Sequence, residues 1–256
     1  MKVVILAGGF GTRISEESHL KPKPMIEIGG MPILWHVMKI YSHFGINEFI
    51  ICLGYKGHII KSFFSDYFLY TSDVTFDLAK NDMTVHNKYA EPWKVTLINT
   101  GLNTMTGGRV KRIKPYIGDE TFLLTYGDGV ANVDIPQTIE FHKKHGKIAT
   151  ITAVRALQRF GVLETDGEKI TSFREKSEND DSWVNGGFMV LEPGIFDVID
   201  GDSMVLEREP FEKLATSDEL RAYRHDGFWQ CMDSQKDKNR LESLLESGNA
   251  PWKIWS

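Results

Sequence analysis

A chain of 256 residues with 41% hydrophobic and 25% charged side chains is long and apolar enough to bury one large α/β core. Its 30 basic and 35 acidic residues leave a net charge of −5 with no basic block, which argues against nucleic acid and limits any polyanion it handles to a small one. Cys52, inside an apolar run, and Cys231 are too few for a disulfide framework or a thiolate metal site. No apolar run approaches the roughly 20 residues of a membrane span, and the opening one is too short for a signal peptide. A cytoplasmic protein with no membrane partner is expected.

Val3-Val4-Ile5-Leu6 has the β-branched, apolar composition of a buried parallel strand, and Ala7-Gly8-Gly9-Phe10-Gly11-Thr12-Arg13 follows it directly. Glycines let backbone N–H groups approach an anion closely, so a strand that opens into such a loop is a candidate phosphate site, with Arg13 and Lys23 adding positive charge. The dinucleotide pattern G-x-G-x-x-G fails because Ile14 stands where its third glycine should be, and G-x-x-x-x-G-K-[ST] is absent.

Residues 32–45 carry Leu34, Val37, Met38, Tyr41 and Phe44 at helical spacing, with Pro32 at the start and Gly45 at the end. A strand over 49–53 follows, so a right-handed parallel crossover is expected, and then a helix over 56–68. Val74, Phe76 and Leu78, then Met83 and Val85, alternate around Lys80-Asn81-Asp82 and predict a hairpin at a sheet edge or projecting from it. A strand at 94–99 leads to residues 104–113, a helix with a threonine- and glycine-rich start whose free N–H groups should face the sheet's carboxyl edge, with Thr104, Gly108 and Arg109 as ligand contacts.

The strand 122–126 ends in Gly127-Asp128-Gly129, at the edge where open parallel sheets bind ligands. A helix at 135–145 and a strand at 149–154 come next, then strands over 161–164, 170–173 and 184–191, with Thr165-Asp166-Gly167 as a hairpin turn. Short helices over 193–199 and 210–215 precede a final strand pair, 220–225 with 227–232, and a helix over 234–247 capped by Ser234. The histidines show no ligand spacing.

Leu6-Ala7-Gly8-Gly9-Phe10-Gly11-Thr12-Arg13 together with Lys21-Pro22-Lys23-Pro24-Met25 resembles the opening of the sugar-nucleotide pyrophosphorylases. These nucleotidyltransferases join a sugar 1-phosphate to a nucleoside triphosphate. The resemblance spans nearly the whole chain and implies one nucleotidyltransferase domain over 1–256 with a Rossmann-like, mostly parallel mixed sheet flanked by helices and smaller β elements. Residues up to about 130 would bind the nucleotide and those from about 131 the sugar phosphate. Leu6 to Arg13, Lys23, Thr104, Gly108, Arg109 and Asp128 become the nucleotide contacts, with Arg13 on the leaving pyrophosphate, Lys23 on the α-phosphate and Asp128 in the catalytic set.

Two aspartates so far apart in sequence carry no signal by themselves, and Asp233 would cap the following helix equally well. The resemblance implies instead that Asp128 and Asp233 hold Mg2+. It also gives Glu175 and Lys176 to the sugar and its phosphate, with Ser177 where many relatives have proline, and Asn185-Gly186 to the sugar. Gly227-Phe228-Trp229-Gln230-Cys231-Met232-Asp233 and the closing Ala250-Pro251-Trp252-Lys253-Ile254-Trp255 resemble the cytidylyltransferase branch of the family. That branch implies CTP and α-D-glucose 1-phosphate as substrates, CDP-glucose and pyrophosphate as products, a place in deoxysugar and O-antigen lipopolysaccharide synthesis, and a homo-oligomer. The same chemistry with UTP or dTTP, and a non-catalytic nucleotide-sugar-binding regulatory subunit, stay open at this stage.

Overall fold

The computed structural model describes residues 1–11, 19–86, 90–155, 162–174 and 183–255. The first strand, β1 (Val3–Ala7), is buried along its whole length. Val3, Ile5 and Ala7 enter the core on one face of the sheet and Val4 and Leu6 the core on the other, which is why the strand has no polar alternation. Truncating the fully buried Ile5 to alanine would cost about 2–5 kcal/mol.

A 3-10 turn (Lys23–Met25) and the small pair β2 (Glu27–Ile28) and β3 (Met31–Pro32) lead into α1 (Ile33–His43), which buries Leu34, Val37, Met38 and Tyr41 against the sheet. Gly45, at φ +76°, ends that helix by turning the chain where a side chain would be strained. Next come β4 (Glu48–Leu53), α2 (Gly57–Ser65), α3 (Tyr67–Thr71), β5 (Val74–Asp77), β6 (Asp82–Val85), β7 (Lys94–Asn99), α4 (Thr106–Arg112), α5 (Lys114–Ile117) and β8 (Phe122–Tyr126). β4 lies parallel beside β1 with β7 outside it, and β8 lies parallel on β1's other flank, with Leu6 opposite Tyr126. The direction of winding reverses at β1, so the loops after β1 and β8 part and leave a crevice at the carboxyl edge.

The remaining elements are β9 (Gly129–Ala131), α6 (Ile135–His145), β10 (Ala149–Arg155), β11 (Val162–Asp166), β12 (Lys169–Arg174), β13 (Trp183–Asn185), β14 (Met189–Leu191), a 3-10 segment (Pro193–Val198), α7 (Glu209–Thr216), β15 (Leu220–His225), β16 (Trp229–Cys231) and α8 (Gln235–Glu246). Among the described residues ten strands form one mixed sheet in the order β13-β11-β12-β15-β10-β14-β8-β1-β4-β7. β14 runs antiparallel between β8 and β10 and joins the two parallel regions. The expected α/β architecture is therefore present, with β5–β6 as a separate hairpin.

Several expectations are corrected. Residues 56–68 form two helices that meet at Asp66. The hairpin turn after β11 is centred on Gly167 and Glu168, with Gly167 at φ +59°, so Thr165 and Asp166 stay in the strand. Residues 184–191 are two strands, because Gly187 (φ +77°) and Phe188 (φ +46°) turn the chain over and send β13 to β10 and β11 but β14 to β8 and β10. Residues 220–225 and 227–232 do not pair with each other: β15 joins β10 in parallel, whereas β16 pairs antiparallel with β9, Cys231 opposite Gly129. That last pairing builds the site.

Candidate active site

The glycine loop is held from beneath. The Gly8 carbonyl accepts from the Tyr55 N–H at 3.3 Å and from Arg109 Nη2 at 3.0 Å. Arg109 Nη1 donates to the carbonyls of Leu53 (3.0 Å) and Gly101 (2.8 Å) and to the Thr100 hydroxyl (2.7 Å), and Nη2 also reaches the Leu102 carbonyl at 3.3 Å. One buried guanidinium thus ties the ends of β1, β4 and β7 together, and burial draws its pKa below the ordinary arginine value. The approach leaves no room for side chains: a Cβ on Gly8 would lie 2.2 Å from Arg109 Nη1, and one on Gly54 2.4 Å from the Gly8 carbonyl oxygen. Gly9 has no such neighbour and faces open space.

Opposite this loop, the β9–β16 pairing sets the Met232 N–H on the Asp128 carbonyl at 2.9 Å, so the residues after β8 and after β16 run side by side. Ser234 is the N-cap of α8: its hydroxyl accepts from the Asp237 N–H at 3.3 Å, while Asp237 Oδ2 accepts from the N–H groups of Asp233 (3.1 Å) and Ser234 (2.9 Å). The capping alternative for Asp233 is thereby removed, and its side chain turns to the cleft. Lys23 Nζ lies 2.6 Å from Asp128 Oδ2 and also contacts Asp233 Oδ1.

Burial alone would lower the Lys23 pKa, but the two carboxylates reverse this and raise it above the ordinary lysine value. Pro22 precedes the turn that carries Lys23, while Pro24 and Met25 are buried beneath it, and a Cβ on Gly127 would lie 3.1 Å from Pro24 Cγ. The K-P-K-P-M and G-D-G segments are in this way fitted to each other. The Cys231 thiol beside them has its pKa pushed up by burial and then by Asp128 and Asp233, so it is neutral. Burial pushes Cys52 up to about 12, as befits a core thiol.

The cleft between these walls holds about 370 Å³ and is lined by Leu6, Ala7, Gly8, Gly9, Phe10 and Gly11, by Lys23, Pro24, Asp128 and Asp233, by Thr104, Met105, Thr106 and Arg109 of the expected helix start, and by the unanticipated Leu102, Asn103 and Tyr126. Tyr126 could have been found from its place two residues before Asp128 at a strand's carboxyl end. Thr12, Arg13, Glu175 and Lys176 lie outside the described residues.

Other expected contacts are displaced. Three N–H groups around the start of α4 are already engaged: Met105 donates to the Asp202 carbonyl (2.8 Å), and Gly107 (2.9 Å) and Gly108 (3.4 Å) donate to the Met204 carbonyl. Gly108 packs on Asp202, where a Cβ would come within 2.5 Å of Cα, and so faces away from the cleft. Arg109 lines the cleft, but its Nη groups are committed to the loop. Asn185 and Gly186 do not line this cleft but adjoin it: Asn185 Nδ2 donates to the hydroxyl of the lining Tyr126 at 3.1 Å, and the Gly186 carbonyl accepts from Trp229 Nε1 at 2.8 Å.

Two carboxylates that converge on one ammonium nitrogen are a natural pair of oxygen ligands for a divalent cation, and Lys23 marks where positive charge is stabilised. Among the described residues no group of three or more histidine, cysteine or acidic side chains is placed to hold a metal ion. Such a pair suits a divalent cation that takes few carboxylates and completes its shell with phosphate oxygens and water.

Comparison with known proteins identifies the family. The nucleotidyl transferase family model matches residues 2–237. The chain is 57% identical to a glucose-1-phosphate cytidylyltransferase of Salmonella typhi over 256 residues and 45% identical to a probable glucose-1-phosphate cytidylyltransferase of Bacillus subtilis over 257, each covering 100% of both chains. In fold it is similar to a putative glucose-1-phosphate thymidylyltransferase from Bacillus anthracis, with a TM-score of 0.79 at 16% identity over 100% of this chain and 97% of the other. A glycine loop after a central strand, two converging carboxylates across the crevice and a family match over nearly the full length together make this chain a member of the nucleotidyl transferase family.

Proposed function

We propose that the protein transfers the cytidylyl group of CTP to α-D-glucose 1-phosphate, forming CDP-glucose and releasing pyrophosphate. The observation that carries the reading is the convergence of Asp128, Asp233 and Lys23 across a cleft from the Gly8–Gly9 loop. The identity over full length to relatives named glucose-1-phosphate cytidylyltransferase supports the choice of base and sugar.

A phosphate oxygen of the sugar phosphate attacks the α-phosphorus, a new P–O–P bridge forms, and the bond to the β-phosphate oxygen breaks. Both reactants are anionic, so the site must offset charge and align three atoms. Asp128 and Asp233 would hold Mg2+, which supplies charge neutralisation between phosphates that must meet. Lys23 follows the α-phosphate once it leaves the carboxylates. Arg13 is assigned to the leaving pyrophosphate, Glu175 and Lys176 to the sugar and its phosphate, and Asn185 and Gly186 to the sugar hydroxyls, all on the family's motifs. On this reading residues up to about 130 serve the nucleotide and the rest serve the sugar phosphate, with Asp233 reaching back across the boundary.

A reaction that draws on CTP belongs in the cytoplasm, and no helix among the described residues is long and apolar enough to cross a membrane. Phe76 (57% exposed), Leu78 (89%) and Met83 (41%) stand on the β5–β6 hairpin, and we assign that surface to a second copy of the chain. Sedimentation of the protein as a monomer would remove the assignment.

Pyrophosphate release measured with each of CTP, UTP, dTTP and GTP, with glucose 1-phosphate present, tests the main reading. CTP should exceed the others by at least about tenfold in kcat/KM, since a site that hydrogen-bonds cytosine leaves its groups unpaired against uracil. Equal use of UTP would remove the cytidylyl assignment, and no release with any of them would remove the activity.

A further inference from the structure

Behind the cleft, Glu207 from the segment before α7 accepts two hydroxyl hydrogen bonds, from Tyr126 at 2.5 Å to Oε1 and from Thr106 at 2.6 Å to Oε2. Thr106 stands at the start of α4 on one wall, and its oxygen accepts from the Leu206 N–H at 2.9 Å. Tyr126 stands at the end of β8 on the other. Tyr126 accepts in turn from Asn185 Nδ2, and Asn185 Oδ1 accepts from the Gly187 N–H at 2.9 Å. Apart from Asn185, none of these groups is needed for the transfer described above.

The directions in this chain are forced. A carboxylate only accepts, so both hydroxyls must donate their single proton to Glu207. Tyr126 can then only accept from Asn185, which makes the amide present nitrogen to Tyr126 and oxygen to Gly187. The Gly187 N–H demands the same orientation independently. We propose that Glu207 is a positioning residue for the sugar substrate: through Tyr126, and together with the Gly187 N–H, it holds the Asn185 amide in place so that its second N–H is left for a sugar hydroxyl.

The proposal rests on the assignment of Asn185 to the sugar. It accounts for an acidic side chain placed behind a site built for anions, where it would otherwise only repel.

Glu207→Gln preserves shape but not polarity. An amide has one accepting oxygen and one donating nitrogen, so it cannot accept from both hydroxyls. If Tyr126 becomes the acceptor from the new amide, its proton turns toward Asn185, and the Asn185 amide must flip or lose its partner. Tyr126→Phe removes the middle link alone. Initial rates over a matrix of CTP and glucose 1-phosphate concentrations, with thermal melting recorded for every variant, make the test.

E207Q and Y126F should each raise KM for glucose 1-phosphate about three- to tenfold, the loss of one neutral hydrogen bond. KM for CTP should stay within about twofold. The double variant E207Q/Y126F should be no worse than the more impaired single one, because the two act in series. Unchanged kinetics, an equal or larger rise in KM for CTP, or additive losses would overturn the proposal. Asn185→Ala separates the two layers: if it leaves KM for glucose 1-phosphate unaltered, the sugar assignment of Asn185 fails, whereas an N185A loss with normal E207Q and Y126F overturns Glu207's role alone. Should E207Q not fold, Y126F carries the same KM test.

Discussion

The two walls of the cleft are held by opposite means. On the glycine wall one arginine satisfies neutral backbone carbonyls that no substrate will ask it to release, and Gly8 and Gly54 leave the space that lets it come close enough. On the carboxylate wall Lys23, Asp128 and Asp233 satisfy one another, yet each is a group that a phosphate or a divalent cation would claim. The first wall is preorganised, held by contacts internal to the fold. In the second a built-in cation offsets two negative charges, and on the proposed function substrate and metal would take its place. On the proposed function, rigidity is placed where phosphate would be cradled by dipoles, and exchangeable charge where bonds would change.

The sharpest way to break this contrast is to remove the internal cation. Lys23→Met should lower kcat at least about a hundredfold, because a charge on the reacting phosphate is lost at the transition state, equivalent to roughly 2.7 kcal/mol or more. The same change should tighten Mn2+ binding to the nucleotide-free protein, measured by titration calorimetry, since the competing ammonium is gone. If metal affinity is unchanged, Lys23 does not stand in the ion's place and the wall is not exchangeable.

Asp233→Asn and Ser234→Ala divide ligand from cap at neighbouring positions. D233N should raise the Mg2+ concentration needed for half-maximal rate and cut the rate about tenfold or more, with melting little altered. S234A should cost about 1 kcal/mol of stability with the metal dependence intact. Exchanged outcomes would return Asp233 to the helix and empty the carboxylate wall of its second ligand.

On the preorganised wall the two glycines should part company. Gly8→Ala drives a methyl into Arg109 and should cost about 1–3 kcal/mol of stability, as overpacking does. Gly9→Ala meets nothing within 4 Å, so it should melt like the parent and raise KM for CTP instead, if the loop's backbone approaches phosphate there. A destabilised G9A with unaltered KM for CTP would show that this wall supports the fold and not the nucleotide.

These walls were unequally legible. The glycine wall is continuous in sequence, since a buried strand that runs into Gly8 and Gly9 states its own geometry, and α1 follows from its apolar spacing between Pro32 and Gly45. The carboxylate wall depends on β16 finding β9, two three-residue strands far apart in the chain. Three residues carry no periodicity, and the default that neighbouring strands pair favoured β15 instead. Phe188 at φ +46° has no compositional signature either, and it is what sets β14 apart from β13. The engaged N–H groups of α4 depend on carbonyls of Asp202 and Met204, which local sequence cannot supply. Polar direction, as in the chain through Glu207, becomes visible only once donors and acceptors are brought together in space.

The last and smallest test asks whether the fold's own pH sensitivity is separate from both walls. Between α6 and β10 a packed pair of histidines shares one hydroxyl: His142 Nδ1 and His145 Nε2 each lie 2.8 Å from Thr150 Oγ1, and His142 Nε2 lies 3.1 Å from Glu192 Oε1. The Lys147 N–H donates to His145 Nδ1 at 2.9 Å, so that nitrogen carries no proton, and Nε2 of the neutral ring donates to Thr150. Thr150 then gives its proton to His142 Nδ1, and His142 Nε2 donates to Glu192. Every partner is satisfied with both rings neutral. Burial lowers the pKa of His142, and burial with the nearby His142, Arg221 and Lys147 draws that of His145 down to about 4.

For a group whose folded pKa lies below its unfolded value near 6.5, the unfolded chain binds more protons at intermediate pH. Stability from this pair is therefore full above about pH 6.5 and is lost as pH falls toward 4, by about 1–2 kcal/mol once partial solvent screening is allowed for. Lys23, raised instead of lowered, contributes throughout that window and is lost only on the alkaline side, above the ordinary lysine value of 10.5. Denaturant melts of the parent and of His145→Gln at pH 7, 6, 5 and 4 read the difference: H145Q should be less stable at pH 7 but flatter in its acid decline, with kcat/KM at pH 7 within about twofold of the parent. A decline of equal slope in H145Q would move the acid sensitivity elsewhere, and a large loss of kcat/KM would mean that this pair is coupled to the cleft after all.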